Sequence, residues 1–172
     1  DCLGSKAFFK SNRVKQMRKA GVKIVEALPT GLYRSLFVRF DLRNHRKILV
    51  IDNRIAYTGS QNLVDPRFFK QDAGVGQWVD AVTRIQGPVV SSLAAVFECD
   101  WSAETGAEWA APKPSPPAPS SDDQSVIQGF PSGPGWAPEA IRQILLEVMY
   151  TARKELVLTT PYFVPDDTML TA

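Results

Sequence analysis

Residues 44–62, NHRKILVIDNRIAYTGSQN, constrain the fold more than any other stretch, because two short β-prone runs, ILVI and IAYT, flank Asp52-Asn53. A period of two sends successive side chains to opposite faces of a strand, and Asp and Asn are turn formers. Residues 45–51 and 54–58 are therefore expected to pair as a hairpin, with a two-residue turn that makes neighbours of 51 and 54. In that hairpin His45 and Lys47 share a face, while Ile48 and Val50 pack on the opposite one.

The rest of the chain alternates helix and strand signals. Residues 5–20 read as a helix, with Ser5 as its cap and Gly21 as its stop. VKIVEAL (22–28) is β-branched and strand-like, 31–38 a loop or short helix, and 63–77 a long loop. A strand is expected over 78–85 and a helix over 88–105, with Pro88 near its first turn. Residues 106–135 are Pro/Ser-rich and read as a linker with no core of its own. An amphipathic helix (138–152) and a buried strand (155–163) follow. The class is α/β, with a mixed sheet flanked by helices.

Composition narrows the function classes. A hydrophobic content of 44% with 22% charged residues is that of a globular protein, and no run reaches the roughly 18–20 apolar residues a bilayer crossing requires. Cys2 and Cys99 match no metal-ligand spacing, and with one histidine in the chain a structural zinc site is not expected. Charge is uneven: twelve Lys and Arg lie within residues 1–47 against Asp1, Glu26 and Asp41. That half suits an anionic partner, phospholipid head groups or nucleic acid, or else a solvated charged surface.

The chemistry gathers at the only histidine. The hairpin returns Gly59, Ser60 and Asn62 towards His45 and Lys47, which puts an imidazole, an ammonium, a hydroxyl and an amide in one patch. Histidine attacks phosphorus or protonates a leaving oxygen near neutral pH. Lys47 offers charge to phosphate oxygens, Ser60 and Asn62 offer directional donors, and no metal or cofactor is needed. A His-x-Lys pair alone is common surface decoration. The whole spacing, His45-x-Lys47, Asp52 and Gly59-Ser60-x-Asn62, arises by chance in a chain this long only about once in a million.

This pattern resembles the HKD motif of the phospholipase D superfamily. DLRNHRK, AYTGSQNLVDPRFFKQDAGVGQWVDAV, RIQGP and TTPYFVP further resemble the bacterial cardiolipin synthase family. The resemblance implies a phosphohistidine intermediate and an active site made where two HKD motifs meet about a pseudo-two-fold axis. It implies a phosphatidyltransferase that joins two phosphatidylglycerol molecules at the bacterial cell membrane, on its cytoplasmic face. Carried over, His45 is nucleophile or general acid/base, and Lys47, Ser60 and Asn62 hold the phosphate. Asp52 belongs to the motif but falls in the turn, where a conformational role is as well supported as a chemical one. Asp80 resembles the acid that accepts a hydrogen bond from the histidine ring, or else is a solvated strand aspartate. Gly74 and Gly76 are read as turn residues or parts of a substrate loop. Phe68 and Phe69 are read as core residues or acyl-chain contacts.

On this reading residues 1–105 are a first catalytic half, 106–135 the linker and 136–172 the opening of a second half. No second H-x-K occurs, so activity of this stretch alone is not expected. Two competing readings remain, a single-motif homodimeric phosphodiesterase or nuclease and a non-catalytic lipid-binding remnant.

Overall fold

The computed structural model describes residues 4–28, 43–65, 67, 72, 74, 76–118, 125–133, 136, 139–160 and 164–172. Cys2, the expected loop or short helix at 31–38, Phe68, Phe69 and the last three residues of the expected 155–163 strand lie outside them. The chain divides into two units, Asp1–Ile127 and Gln128–Ala172, with the boundary inside the Pro/Ser-rich stretch.

The first unit is built on a three-stranded antiparallel meander, β1 (Ile48–Ile51), β2 (Ile55–Gly59) and β3 (Val82–Gln86), in the order β1-β2-β3. Val50 lies opposite Ala56, and Ala56 opposite Ile85, so these three share one face. Helix α3 (Val89–Thr105) covers that face. Val90 and Ala56 are fully buried and Ile85 nearly so, with Val50, Val89 and Leu93 packed around them. Each large apolar side chain withdrawn from water in this way contributes about 1.5–3 kcal/mol. The other face carries Leu49, Ile51 and Val82, all exposed. Gly106, at φ 70°, ends α3 by closing its last turn on the Ser102 carbonyl.

The hairpin forms at Asp52-Asn53, but its register differs from expectation. Asp52 and Asn53 have φ of 51° and 52°, and Arg54 N–H closes the turn on the Ile51 carbonyl. Pairing resumes only at Ile55, which faces Ile51. Arg54 is taken up in the turn, and every later residue sits opposite a partner one position away from that expected.

Three expected elements are corrected. The 5–20 helix is two pieces, α1 (Lys6–Phe9) and α2 (Asn12–Lys19), because the Ser11 amide and hydroxyl both donate to the Phe8 carbonyl, at 2.9 and 2.6 Å. Gly21, at φ 87°, ends the second piece as expected. Residues 22–28 form no strand; with no partner ladder among the described residues, β propensity has nothing to pair with. Among the described residues the sheet is consequently antiparallel, where a mixed one is expected from the sequence.

Part of the proline-rich stretch is docked against this unit. Asn53 Nδ2 donates to the Lys113 carbonyl at 2.6 Å, and Ser115 Oγ donates to Asn53 Oδ1 at 3.1 Å. Ser115 is buried, and Gly87 sits against Ala118.

The second unit holds α4 (Ala140–Thr151) and the short α5 (Asp167–Thr171). Asp166 caps α5 by accepting from Met169 N–H at 2.9 Å, and the Arg142 guanidinium bonds both Asp166 and Thr168. The hydrogen bond from Arg142, and then that from the Met169 amide, hold the Asp166 carboxyl below the ordinary carboxylate range. Residues 155–160 form no strand, since none of the unit's described residues offers an edge to pair with. Among the described residues no helix is long and apolar enough to cross a membrane.

Asn53 separates two contributions to the hairpin tip. Asn53→Gly keeps the left-handed backbone and removes the side-chain bonds, and is expected to cost about 1–2 kcal/mol. Asn53→Ala also keeps a Cβ in that region without the polar side chain that lets asparagine tolerate it, and is expected to cost about 1 kcal/mol more. Urea unfolding of the three proteins checks the order, with limited proteolysis reporting release of 112–118.

Candidate functional site

The His45 segment owes its position to a side-chain clasp on α3. Arg46 directs one guanidinium nitrogen at both oxygens of Asp100, at 2.7 and 2.8 Å, and Asn44 Nδ2 reaches Asp100 Oδ2 at 3.5 Å. Arg46 and Asp100 are both largely covered, with 24% and 31% of their side chains exposed, so solvent screens this pair less than a surface one. The Asn44 side chain also accepts the Arg46 N–H at 2.9 Å. That local bond diverts the backbone from a ladder, and residues 43–47 are irregular, with β1 starting only at Ile48. His45 and Lys47 thus precede the strand expected to hold them. His45 is exposed and Lys47 half-buried, with Lys47 Nζ donating to the His45 carbonyl at 2.8 Å.

On the returning strand, Ile48 faces Thr58, so Lys47 comes next to Gly59, one step beyond that pair. Gly59 faces Val82 across the β2–β3 junction, and the two strands run very close there. A Cβ on Gly59 would lie 2.1 Å from the Ala81 carbonyl oxygen, so only glycine fits. Ser60 continues the junction. Its N–H donates to the Ala81 carbonyl at 2.9 Å, its hydroxyl donates to Asp80 Oδ1 at 2.8 Å, and Ala81 N–H donates back to Ser60 Oγ at 3.0 Å.

Lys47, Gly59, Ser60 and Asp80 therefore lie at one end of the meander, with His45 two residues ahead of Lys47 in the irregular lead-in to β1. Asn62 follows closely, exposed and outside any strand. Asp52 does not join them. It sits in the turn at the opposite end of the hairpin, five residues along the chain from Lys47, or about 16 Å at strand rise. The Asp80 hydrogen bond goes to Ser60, and none joins Asp80 to the His45 ring among the described residues. Gly74 and Gly76 have φ of 68° and 79°, and a Cβ at either would meet open space, as turn glycines do. Among the described residues no group of three or more His, Cys, Asp or Glu is placed to hold a metal.

Sequence reading missed Asn44, Arg46, Asp100 and Ala81. Asn44 and Arg46 lie in the DLRNHRK stretch, but nothing in it points to Asp100, which is 54 residues from Arg46 and becomes a neighbour only through the fold. Ala81 acts through its backbone, which no side-chain pattern reports. A cleft of about 270 Å³ lies beside this clasp, among Asn44, Arg46, Asp100, Phe97 and Trp101. It borders Asn44 and Arg46, while His45 and Lys47 are not part of its lining. Helices α1 and α2 leave Phe8 and Met17 exposed among lysines and arginines.

Gly59→Ala is expected to force β2 and β3 apart at Ala81 and cost about 1–3 kcal/mol, read from thermal unfolding together with faster exchange of the Ser60 amide. Asp100→Asn removes the charge that Arg46 pairs with. It is expected to cost about 1 kcal/mol and to broaden or shift the backbone resonances of residues 43–47 more than those of β3.

Comparison with known proteins completes the description. No family model matches the chain, and no solved structure matches it. Over its full length it is 52% identical to cardiolipin synthase A of Pectobacterium carotovorum subsp. carotovorum (strain PC1). It is 51% identical to the cardiolipin synthases A of Pectobacterium atrosepticum and of Yersinia pseudotuberculosis serotype O:1b. The match takes in 100% of the chain but 36% of each relative, so the chain spans about a third of their length. The resemblance read from the motifs thus holds from end to end: this chain is similar throughout to bacterial cardiolipin synthase.

Proposed function

We propose that the chain carries one histidine-bearing half of a phosphatidyl-transfer site, in a phospholipase D-like fold. The observation that supports this best is the placement of Lys47, Gly59 and Ser60 at one end of the β1–β2 hairpin, with His45 just ahead of Lys47, in a chain similar throughout to cardiolipin synthase A.

In the reaction, an imidazole nitrogen attacks the phosphorus of one phosphatidylglycerol. The phosphorus–oxygen bond to the glycerol head group breaks, and glycerol leaves with a proton from a second histidine. A terminal hydroxyl of another phosphatidylglycerol then gives its proton to that second histidine and attacks phosphorus. The phosphorus–nitrogen bond breaks and cardiolipin is released. His45 serves as one of the two histidines. Lys47 offsets charge on the phosphoryl oxygens by exchanging its exposed bond to the His45 carbonyl for one to phosphate, and Asn62 adds a directional donor. Water must be kept out of the second step, because hydrolysis would yield phosphatidic acid.

His45 is the only histidine here, so the partner imidazole comes from elsewhere, from a second half of the same protein or from a second copy. The anionic membrane surface supplies the substrate, and the reading needs no cofactor. The domain assignment follows: 1–105 as a first catalytic half, 136–172 as the opening of a second, and the proline-rich stretch between them.

The test compares the 172-residue chain with a chimera in which it replaces the matching stretch of the Pectobacterium carotovorum relative. With phosphatidylglycerol vesicles the chimera is expected to form cardiolipin and glycerol, and the chain alone less than about 1% as much. His45→Ala in the chimera is expected to reduce turnover about 10³-fold or more. Robust synthesis by the monomeric chain would overturn the half-site reading. A His45→Ala chimera of unchanged activity would overturn the role of His45.

A further inference from the structure

Serine at position 60 is expected, from its motif, to donate a hydrogen bond to the substrate phosphate. The geometry points to a different role. We propose that Ser60 is a positioning residue that holds Asp80 at the site and does not itself contact the phosphoryl group. The proposal rests on the phosphatidyl-transfer reading of the site.

A serine hydroxyl has one proton and two lone pairs. The proton goes to Asp80 Oδ1 at 2.8 Å, with the Ala81 carbonyl a more distant acceptor at 3.5 Å, and one lone pair takes Ala81 N–H at 3.0 Å. The Ser60 backbone is fixed as well, because its N–H donates to the Ala81 carbonyl at 2.9 Å. To donate to phosphate, Ser60 would have to withdraw its only proton from a carboxylate. A carboxylate is a more basic acceptor than the oxygens of a phosphodiester, so of these two anionic acceptors it holds the hydroxyl proton more strongly. The proton therefore stays on the Ser60–Asp80 bond.

Gly59 supports the same reading. It is glycine because a Cβ would lie 2.1 Å from the Ala81 carbonyl oxygen and 2.8 Å from the Val82 Cα. Gly59 lets β2 and β3 close up, and Ser60 then bonds across the seam. Together they bring Asp80, twenty residues further on, to the end of the meander where Lys47 sits. Asp80 Oδ2 makes no hydrogen bond among the described residues, and so remains available to a donor in the site. Lys47 and Asn62 are left as the groups of the motif that reach phosphate.

The two roles differ in how they combine with loss of Asp80. In the chimeric enzyme, Ser60→Ala, Asp80→Ala and the double variant are assayed on phosphatidylglycerol vesicles. They are also assayed on bis(p-nitrophenyl) phosphate, whose good leaving group keeps weak variants measurable. If Ser60 acts through Asp80, Ser60→Ala lowers kcat about tenfold with KM within twofold, and in the Asp80→Ala background it changes the rate less than twofold. Ser60→Thr, which keeps the hydroxyl, retains most of the activity. If Ser60→Ala costs the same factor with and without Asp80, or raises KM by most of that factor, Ser60 touches phosphate and the proposal is overturned.

A second measurement needs no turnover. In the 172-residue chain, exchange of the Ala81 amide is expected to quicken at least tenfold in Ser60→Ala; unchanged exchange overturns the clamp itself. Diester hydrolysis without cardiolipin formation would remove the lipid-acceptor reading, leaving the cycle to be read on hydrolysis. Turnover of neither substrate would remove the phosphate site, and the positioning role with it.

Discussion

The packing of Ala56 and Ile85 against Val90 is the contact on which the rest of the first unit depends. An antiparallel meander of three short strands is marginal in water until one face is covered. Helix α3 covers it through Val89, Val90 and Leu93, and in doing so brings Asp100 within reach of the chain entering β1. One helix therefore both buries the sheet and aims the His45 segment. Covering only one face also accounts for Leu49, Ile51 and Val82 standing in solvent.

Two polar connections transmit that packing to the site. Arg46 and Asn44 grip Asp100 on one side of residues 43–47, leaving His45 exposed and Lys47 folded back on the His45 carbonyl. On the neighbouring strands Gly59 permits a close approach, and Ser60 bonds Asp80 and Ala81 across it. The candidate site is thus framed by bonds whose partners are 20 to 56 residues apart. Each partner alone is an ordinary polar residue.

The hairpin, α3 and the second-unit helix were legible because their signals are local. The β-prone runs on either side of Asp52-Asn53, Pro88 near the first turn of α3 and a sustained amphipathic run in α4 need no distant partner to be read. The strands expected at 22–28 and 155–163 were not realised among the described residues, because a strand exists only where a ladder partner stands beside it. The split between α1 and α2 escaped for the opposite reason. A single serine, bonding back to Phe8, outweighs a helical pattern that continues on both sides of it.

The sequence by itself determined the residue types of the chemistry: one imidazole, one ammonium and a glycine-serine-x-asparagine run at spacings that set them on one hairpin. It also determined the similarity to cardiolipin synthase, since identity is a property of order alone. Tertiary structure decided which of these residues meet. It put Asp52 in the turn at the far end of the hairpin, shifted the register by one through Arg54, placed His45 ahead of β1, and joined Asp80 to Ser60. Those outcomes follow from turn geometry and from long-range hydrogen bonds. The long-range bonds are settled only when the sheet closes on α3, because until then their partners are too far apart along the chain to compete with water.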